Sequence, residues 1–273
     1  MKINLFPNLG NTCYLNSVLQ CFVYNKKFQN FIKEKLNVPF VNALKKIIEN
    51  VDLSDDGEYN AHLLNLNFLM EYFPFKRFEQ QDAHECILSF LDLIKETENL
   101  YHGETKTTVR CLKCKNVKNI FEEFNSINLN IPPENTNLTD LFVKYLDKEI
   151  HNDPDNLYFC ETCKSNEPFE KKINLNKLPS NIIFVLKRYN VDNVDNVDKI
   201  NTEVTFQNNI KIKHFNIIKE YTLKSMINHT GNLYNGHYTN YVIINDNCFF
   251  IDDDFIKKEP YKCKDAYILF YES

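Results

Sequence analysis

The chain has 273 residues, 43% of them hydrophobic and 25% charged, and its 32 basic and 37 acidic side chains give a net charge of −5. Such a chain can bury a core without disulfides, and its acidic balance disfavours nucleic acid and suits a basic peptide as partner. No apolar run reaches membrane-spanning length and no signal peptide precedes the first motif, so we expect an intracellular protein, cytoplasmic or nuclear, with no membrane partner.

The first predicted element is a helix that begins beside a cysteine. One buried helical face is indicated by Leu15, Val18, Leu19 and Phe22. Asn11 and Thr12 are both suitable N-caps, so Cys13 would lie in the first turn, where the helix dipole favours a thiolate. Gly10 permits a tight backbone, and Asn8 and Asn11 supply amide donors for an oxyanion. A lone buried cysteine is usually a small hydrophobe, so other residues must decide its role.

Further helices are expected across the first hundred residues. Residues 40–50 have apolar positions at helical spacing, and residues 52–60 form a polar connection. Another helix opens at residues 80–85, Gln-Gln-Asp-Ala-His-Glu, with Asp82 as its N-cap and Glu85 placed as in a capping box. Capping alone can explain both carboxylates. His84 is a candidate general base or, equally, a packed residue.

From residue 105 the pattern changes to strands, and two Cys-x-x-Cys pairs occur. They are Cys111 with Cys114 and Cys160 with Cys163. Nine cysteines without a secretory signal favour thiols, metal ligands or catalysis over disulfides. Two such pairs favour one tetrahedral structural zinc ion, because four thiolates leave no open coordination position. The two pairs are far apart in the chain, but the entropic cost of closing a long loop rises slowly with its length, so one site is feasible if each pair closes its own hairpin.

The remaining pattern predicts a sheet. We expect a half-buried strand at residues 127–131, a short helix at 138–146, a strand buried on both faces within 178–189, and strands at 204–206 and 210–218. The acidic three-residue repeat at 191–198 is predicted to be a solvated loop.

A histidine near the end of the chain supplies the expected base. His237 follows Gly236, which leaves space for a passing substrate backbone, and precedes an apolar strand. A cysteine at a helix start makes this histidine the expected partner of a thiolate–imidazolium pair. The returning strand runs into three aspartates, and the turn length decides which one shares the face of His237. A two-residue turn selects Asp252 and Asp254, whereas a three-residue turn selects Asp253.

Several motifs together resemble the ubiquitin-specific proteases, which are papain-like cysteine peptidases. Residues 8–20, Asn-Leu-Gly-Asn-Thr-Cys-Tyr-Leu-Asn-Ser-Val-Leu-Gln, are similar to the cysteine box, and residues 80–85 to the second signature. The histidine box is matched by His229, Gly231, Gly236, His237 and Tyr238. Residues 186–189 and 266–271 match two further strands, so the resemblance covers nearly the whole chain. Departures from the family pattern occur at Leu5, Phe6, Cys86, Tyr189 and Cys248.

The resemblance implies an α+β papain-like fold forming a single catalytic domain over residues 1–273. A helical thumb would span about residues 1–100, zinc-bearing β fingers about 101–180 and a β-rich palm about 181–273. It also implies a thiol-dependent deubiquitinase that hydrolyses the (iso)peptide bond after the C-terminal Gly-Gly of ubiquitin. Its partners would be ubiquitin, ubiquitinated proteins and, where needed, an activating protein.

The resemblance also assigns roles to individual residues. The catalytic set would be Cys13 as nucleophile, His237 as base, Asp252 as its orienter with Asp253 as an adjacent substitute, and Asn8 at the oxyanion. The residues implied to bind the ubiquitin tail are Gln81, Asp82, Glu85, Gly236 and Tyr238. One structural zinc would be held by Cys111, Cys114, Cys160 and Cys163. His84 and His229 lose their candidacy as base.

Two alternatives remain open from the sequence. A protease for another ubiquitin-like modifier would use the same triad, although Asp82 and Glu85 favour a tail that bears arginines. An inactive ubiquitin-binding scaffold would keep the cysteine pairs but lose the nucleophile, whereas all three triad candidates are present here.

Overall fold

A computed structural model of the chain describes residues 3, 5–35, 38–49, 66–76, 78–94, 98–189, 199–232 and 235–273. Within them most helices precede the strands, as the pattern predicts. The helices are α1 (Cys13–Val23), α2 (Lys26–Glu34), α3 (Pro39–Glu49), α4 (Ala83–Leu93), α5 (Glu98–Tyr101) and α6 (Leu138–Leu146), and residues 66–70 are also helical. None of the described helices is long and apolar enough to cross a membrane.

The strands form two larger sheets and two short pairs. An eight-stranded sheet has the order β15-β14-β13-β12-β16-β9-β3, with β11 also paired to β12; a four-stranded sheet has the order β2-β1-β8-β5; and β10-β4 and β6-β7 form two-stranded pairs. The bounds are β1 (Gly103–Cys111), β2 (Val117–Phe124), β3 (Ile127–Asn130), β4 (Thr136–Asn137), β5 (Glu149–His151), β6 (Tyr158–Cys160), β7 (Ser165–Glu167), β8 (Phe169–Lys177), β9 (Asn181–Lys187), β10 (Val204–Thr205), β11 (Asn209–His214), β12 (Ile217–Gly231), β13 (Gly236–Ile244), β14 (Asn247–Asp252), β15 (Phe255–Lys258) and β16 (Ala266–Glu272).

Helix α1 is the centre of the first hydrophobic core. All of its residues are buried, including the polar ones, because it packs against α4 on one side and against β12 and β13 on the other. Phe22 stacks on Phe90 of α4 with ring centroids 4.4 Å apart and meets Phe270 of β16 edge to face at 5.8 Å. Aromatic burial of this kind stabilises strongly, so α1 is fixed against the sheet.

The second core lies on the opposite face of the eight-stranded sheet. Strand β9 faces both cores, since Ile183 and Val185 belong to the first and Ile182 and Phe184 to the second. The prediction of a strand buried on both faces is therefore confirmed, as is the short helix at residues 138–146.

One prediction about the sheet is wrong. Residues 210–218 do not form a single strand, because Phe215 adopts a left-handed φ of 52° and the chain turns back between β11 and β12. Apolar side chains continue through this turn, where Phe215, Ile217 and Ile218 are exposed, so periodicity did not reveal the break. The predicted loops at residues 52–60 and 191–198 lie outside the described residues.

Candidate active site

The cysteine loop places Cys13 at the first position of α1. Thr12 is the N-cap residue, but its side chain makes no cap; its hydroxyl accepts a hydrogen bond from the Leu9 N–H at 2.9 Å. The Asn8 carbonyl oxygen Oδ1 accepts from the N–H groups of Gly10 (3.0 Å) and Thr12 (3.2 Å). The turn is thus held by Asn8, and the N-cap residue itself makes no side-chain hydrogen bond to the first N–H groups of α1 in the part of the chain that the structure describes.

Two consecutive residues of this loop have left-handed backbones. Gly10 has φ 96° and Asn11 has φ 59°. A Cβ on Gly10 would lie 2.7 Å from the ring of Phe78, so only glycine satisfies both the dihedral angle and the contact. The Asn11 amide donates to the Phe78 carbonyl at 2.7 Å. These contacts fix the cysteine loop to residues 78–82, which lead into α4.

His237 lies near the start of β13, where it meets both Cys13 and Asp252. Its Nε2 is 2.6 Å from Asp252 Oδ1, which leaves Nδ1 for the Cys13 thiol. The hydrogen bond with Cys13 and the interaction with Asp252 raise the pKa of His237 to about 9, although partial burial opposes them. An imidazolium at neutral pH is the charge that stabilises an adjacent thiolate.

The turn between β13 and β14 resolves which aspartate faces His237. Ile244 pairs with Asn247, so the turn has two central residues, Asn245 and Asp246, with φ 47° and 61°. Positive φ at both positions is the type I′ hairpin turn, which asparagine and aspartate tolerate. Of the two aspartates that this turn selects, Asp252 is the one bonded to His237.

Asp253 contacts the cysteine loop instead. Its Oδ2 accepts from the Asn8 amide at 2.9 Å and its Oδ1 from the Asn16 amide at 2.7 Å, and its own φ is 50°. Asn16 is buried in α1 and also donates to the Phe6 and Pro7 carbonyls. The two adjacent aspartates therefore hold the two sides of the site. Asp252 bonds His237 on β13, whereas Asp253 bonds Asn8 of the cysteine loop.

Asp82 is the centre of a network between α4 and the sheet. Its Oδ1 caps α4 by accepting from the N–H groups of His84 (2.7 Å) and Glu85 (3.0 Å). Its Oδ2 accepts from the hydroxyls of Tyr267 (2.7 Å) and Tyr238 (3.4 Å). Four donors occupy the carboxylate, so the predicted N-cap is confirmed, while Glu85 in the first turn of α4 is exposed.

The two other histidines considered as bases, His84 and His229, are partly or fully buried and hydrogen-bonded to neighbouring hydroxyl groups. His84 Nε2 lies 2.8 Å from the Ser126 hydroxyl, and burial lowers its pKa. Burial also lowers the pKa of His229 to about 4, with Lys199 acting in the same direction. His229 is therefore neutral at pH 7, and its Nδ1 is 2.9 Å from the Tyr189 hydroxyl.

A small cavity of about 100 Å³ lies beside Cys13. Its lining comprises Asn11, Cys13, Tyr14, Gln80, Gln81, Asp82, Tyr189, His229, Gly236 and Tyr238. Gly236 is required there for a reason that the sequence did not indicate: a Cβ would lie 2.0 Å from His229 Nε2. Gln80 is a further site residue, to which the sequence motifs assigned no role. Its amide bonds both backbone groups of Gly236. Because the two residues are far apart in the chain, no local sequence pattern predicts this contact.

The four predicted zinc ligands converge. Each Cys-x-x-Cys pair closes its own hairpin, β1–β2 or β6–β7, and each is followed by a lysine with positive φ, Lys115 or Lys164. The four sulfurs lie within 4.8 Å of one another, with Cys111 and Cys163 at 4.0 Å and Cys114 and Cys160 at 3.6 Å. A tetrahedral site with Zn–S of about 2.3 Å needs sulfurs about 3.8 Å apart, so the cluster fits one zinc ion.

Comparison with known proteins gives the family. The model of the ubiquitin carboxyl-terminal hydrolase family matches residues 6–271, nearly the whole chain. The chain belongs to this family. Ubiquitin carboxyl-terminal hydrolase 25 of Arabidopsis thaliana is 27% identical over 97% of this chain and 46% of its own length. Ubiquitin carboxyl-terminal hydrolase 48 of Danio rerio is 28% identical over 93% of this chain and 27% of its own. The chain thus spans less than half the length of these hydrolases.

Solved structures confirm the predicted α+β fold of the chain. The SAGA Ubp8/Sgf11/Sus1/Sgf73 DUB module bound to ubiquitin aldehyde contains a chain with a TM-score of 0.86 and 22% identity, which covers 99% of this chain and 69% of that one. A second structure of this module, bound to monoubiquitin, gives a TM-score of 0.85 at 22% identity over the same shares of both chains. At this identity the likeness shows the fold, an α+β arrangement of helices and sheets. The zinc-compatible cysteine cluster is a feature of this chain's own structure.

Proposed function

We propose that the protein is a cysteine-type deubiquitinase that cleaves the (iso)peptide bond after the C-terminal Gly-Gly of ubiquitin. The observation that carries this proposal is the convergence of the Cys13 thiol with the His237 imidazole and the Asp252 carboxylate, which lie on neighbouring strands near the other end of the chain. Family membership supports the substrate class, because its members are named for hydrolysis at the carboxyl terminus of ubiquitin.

In this mechanism Cys13 is the nucleophile. The imidazolium of His237 stabilises the thiolate, which attacks the carbonyl carbon of the terminal glycine. The Asn8 amide and the N–H groups at the start of α1 stabilise the negative oxygen of the tetrahedral intermediate. His237 then donates its proton to the leaving lysine amine, which leaves a thioester on Cys13.

Hydrolysis of the thioester completes the cycle. The neutral His237 takes a proton from a water molecule, and the resulting hydroxide attacks the thioester carbonyl. The thiolate leaves, and His237 again carries the proton. Asp252 holds the imidazole by its Nε2 throughout, so that the other nitrogen stays aimed at the sulfur.

We place the ubiquitin tail in the cavity beside Cys13. Gln81, Gly236 and Tyr238 line it, and the exposed carboxylate of Glu85 would pair with an arginine of the tail. The four hydrogen bonds of Asp82 favour an organising role for that residue beside any contact with the tail. The Cys111, Cys114, Cys160 and Cys163 thiolates would hold one structural zinc, which joins two hairpins and takes no part in the chemistry.

Partner proteins are part of this proposal only by analogy. The neighbouring structures contain Ubp8 together with Sgf11, Sus1 and Sgf73, which shows that this fold can work within a larger module. An activating partner for this chain would act on the site described above. Ubiquitinated proteins are its proposed substrates.

The test is hydrolysis of ubiquitin carrying a fluorogenic amine at its C terminus. We expect release of the fluorophore by the wild type and none by Cys13→Ala or His237→Ala. Parallel conjugates of other ubiquitin-like modifiers identify the alternative protease, which would prefer one of those. An inactive scaffold would bind ubiquitin without releasing fluorophore from any conjugate, and that result would contradict the proposal.

A further inference from the structure

Strand β13 presents an open edge beside the catalytic histidine. In the strand pairs that the structure describes, β14 pairs with β13 only from Asn240 onward and ends at Asp252, opposite Thr239, so residues 236–238 extend past the end of β14. On its other edge Gly236 is aligned with Gly231 of β12. The backbone groups of Gly236 are thus available to a group in the cleft.

The side chain of Gln80 occupies this edge. Its Nε2 donates to the Gly236 carbonyl at 3.0 Å, and its Oε1 accepts from the Gly236 N–H at 3.1 Å. Two opposite residues of antiparallel strands exchange the same pair of hydrogen bonds, in which each residue both donates and accepts. The carboxamide therefore stands where a peptide group of an added strand would bind.

This contact spans the cavity beside Cys13. Gln80 belongs to the segment before α4, Gly236 to the sheet, and both line the cavity that contains Cys13. At about 100 Å³ this cavity is well below the roughly 300–1,000 Å³ of ordinary ligand pockets. An extended tail that adds to the edge of β13 must first displace the Gln80 amide.

The segment around Gln80 is fixed at both ends, and its middle is held to the sheet through the Gln80 side chain. Phe78 is held through its carbonyl by Asn11, and Asp82 is held by the cap of α4 and by Tyr267. Gln80 itself is exposed, and its long side chain can rotate without movement of the backbone. Release of the contact therefore needs only a change of rotamer.

We propose that Gln80 is a latch that mimics the substrate backbone: its carboxamide pairs with Gly236 in the free protein and gives up this place to the ubiquitin tail. This inference rests on the proposed deubiquitinase function. Because two exposed neutral hydrogen bonds are individually weak, the latched state lowers the apparent affinity for the tail by a modest factor. Removal of the latch increases that affinity.

The experiment measures the second-order rate at which Cys13 reacts with ubiquitin carrying a C-terminal electrophile, in wild type, Gln80→Asn and Gln80→Ala. The asparagine variant keeps the amide but is one methylene too short to reach Gly236. We expect both variants to react about three- to tenfold faster than wild type, as loss of one to two weak hydrogen bonds implies. Glu79→Gln, which changes an exposed neighbour outside the cavity, is the control and should match the wild type.

A second reagent separates a latch from a residue that positions His237. Iodoacetamide reacts with Cys13 without pairing to the strand edge, so its rate and pH profile should be the same in wild type and Gln80→Asn. A change in that profile would show that Gln80 supports the histidine and would overturn the latch. A slower reaction of both variants with the ubiquitin probe would show that Gln80 binds the tail and would overturn it as well. If the wild type and all variants react with iodoacetamide but none reacts with the ubiquitin probe, the proposed function itself fails.

Discussion

At the scale of single residues, the two adjacent aspartates divide the work of the site. Asp252 bonds the imidazole of His237, whereas Asp253 bonds the amides of Asn8 and Asn16. Successive residues of a strand point to opposite faces, and the left-handed φ of Asp253 turns its carboxylate toward the cysteine loop. Substitution of each aspartate should therefore give a different kinetic signature.

Asp252→Asn should change the pH dependence. The interactions that raise the pKa of His237 to about 9 include that carboxylate, so the imidazolium is lost on the alkaline side. We predict that kcat/KM of the wild type falls as the pH rises through about 9. In Asp252→Asn this alkaline fall should occur at lower pH, and kcat/KM should be reduced by about 10²-fold. A pH series with fluorogenic ubiquitin measures both. An unchanged alkaline limb would exclude Asp252 as the partner of His237.

The same proton also affects stability. The folded pKa of His237 lies above the unfolded value of about 6.5. The resulting stabilisation is fully present below about pH 6.5 and is lost as the pH rises through about 9. Thermal unfolding of wild type and His237→Ala across this range should therefore converge at high pH.

Asp253→Ala should lower kcat with little effect on KM. The substitution frees the Asn8 amide, which we place at the oxyanion, so the loss belongs to the transition state and is expected to be about tenfold. Asp254→Ala, which alters an exposed aspartate in the same turn, is the matched control. If Asp253→Ala raised KM at constant kcat, Asp253 would instead contribute to ubiquitin binding.

At the scale of elements, hairpins are joined through the cysteine cluster. Hairpins β1–β2 and β6–β7 come from distant parts of the chain, and the four thiols bring their ends together. A metal that binds only the folded arrangement contributes its binding free energy to folding. The four-stranded sheet should therefore depend on zinc for its stability.

Zinc content and thermal unfolding test this dependence. We predict about one zinc per chain by elemental analysis, and loss of the metal with a melting temperature lower by several degrees in Cys160→Ser. Cys248→Ser removes a half-buried thiol outside the cluster and should keep both the metal and the melting temperature. A metal-free wild type with an undiminished melting temperature would contradict a structural zinc site.

Helix α1 depends on aromatic packing rather than on a side-chain cap. Phe22 is fully buried and contacts rings from α2, α4, α5 and β16. Phe22→Ala should destabilise the protein by about 3–5 kcal/mol, measured by denaturant unfolding. The same substitution at Phe121, whose side chain is 54% exposed, should cost less than about 0.5 kcal/mol. Equal losses at both positions would show that the core around α1 does not carry the stability of the fold.

At the scale of the whole molecule, the site combines an N-terminal helix with strands near the C terminus. Local signals predicted its parts well: the apolar face of α1, the N-cap at Asp82 and the two cysteine pairs each depend on neighbouring residues. Contacts between residues that are far apart in the chain could not be predicted from these local patterns. The choice of Asp252 depended on the turn at Asn245 and Asp246, whose length a sequence leaves open.

Other features followed from packing that no local pattern describes. Gly236 is necessary because His229 fills the space of its Cβ, and Gln80 bonds Gly236 across the cleft. The break between β11 and β12 escaped prediction because exposed apolar residues continue through the turn at Phe215. Periodicity reports burial on average, and it fails where apolar side chains face solvent.

The role of Cys13 as nucleophile is tested most directly by identifying the residue that reacts with the C terminus of ubiquitin. The full chain is incubated with electrophilic ubiquitin, digested and mapped by mass spectrometry. We expect a single adduct on Cys13, abolished in Cys13→Ala and strongly slowed in His237→Ala. An adduct on another cysteine, or none on a folded chain that binds ubiquitin, would contradict it.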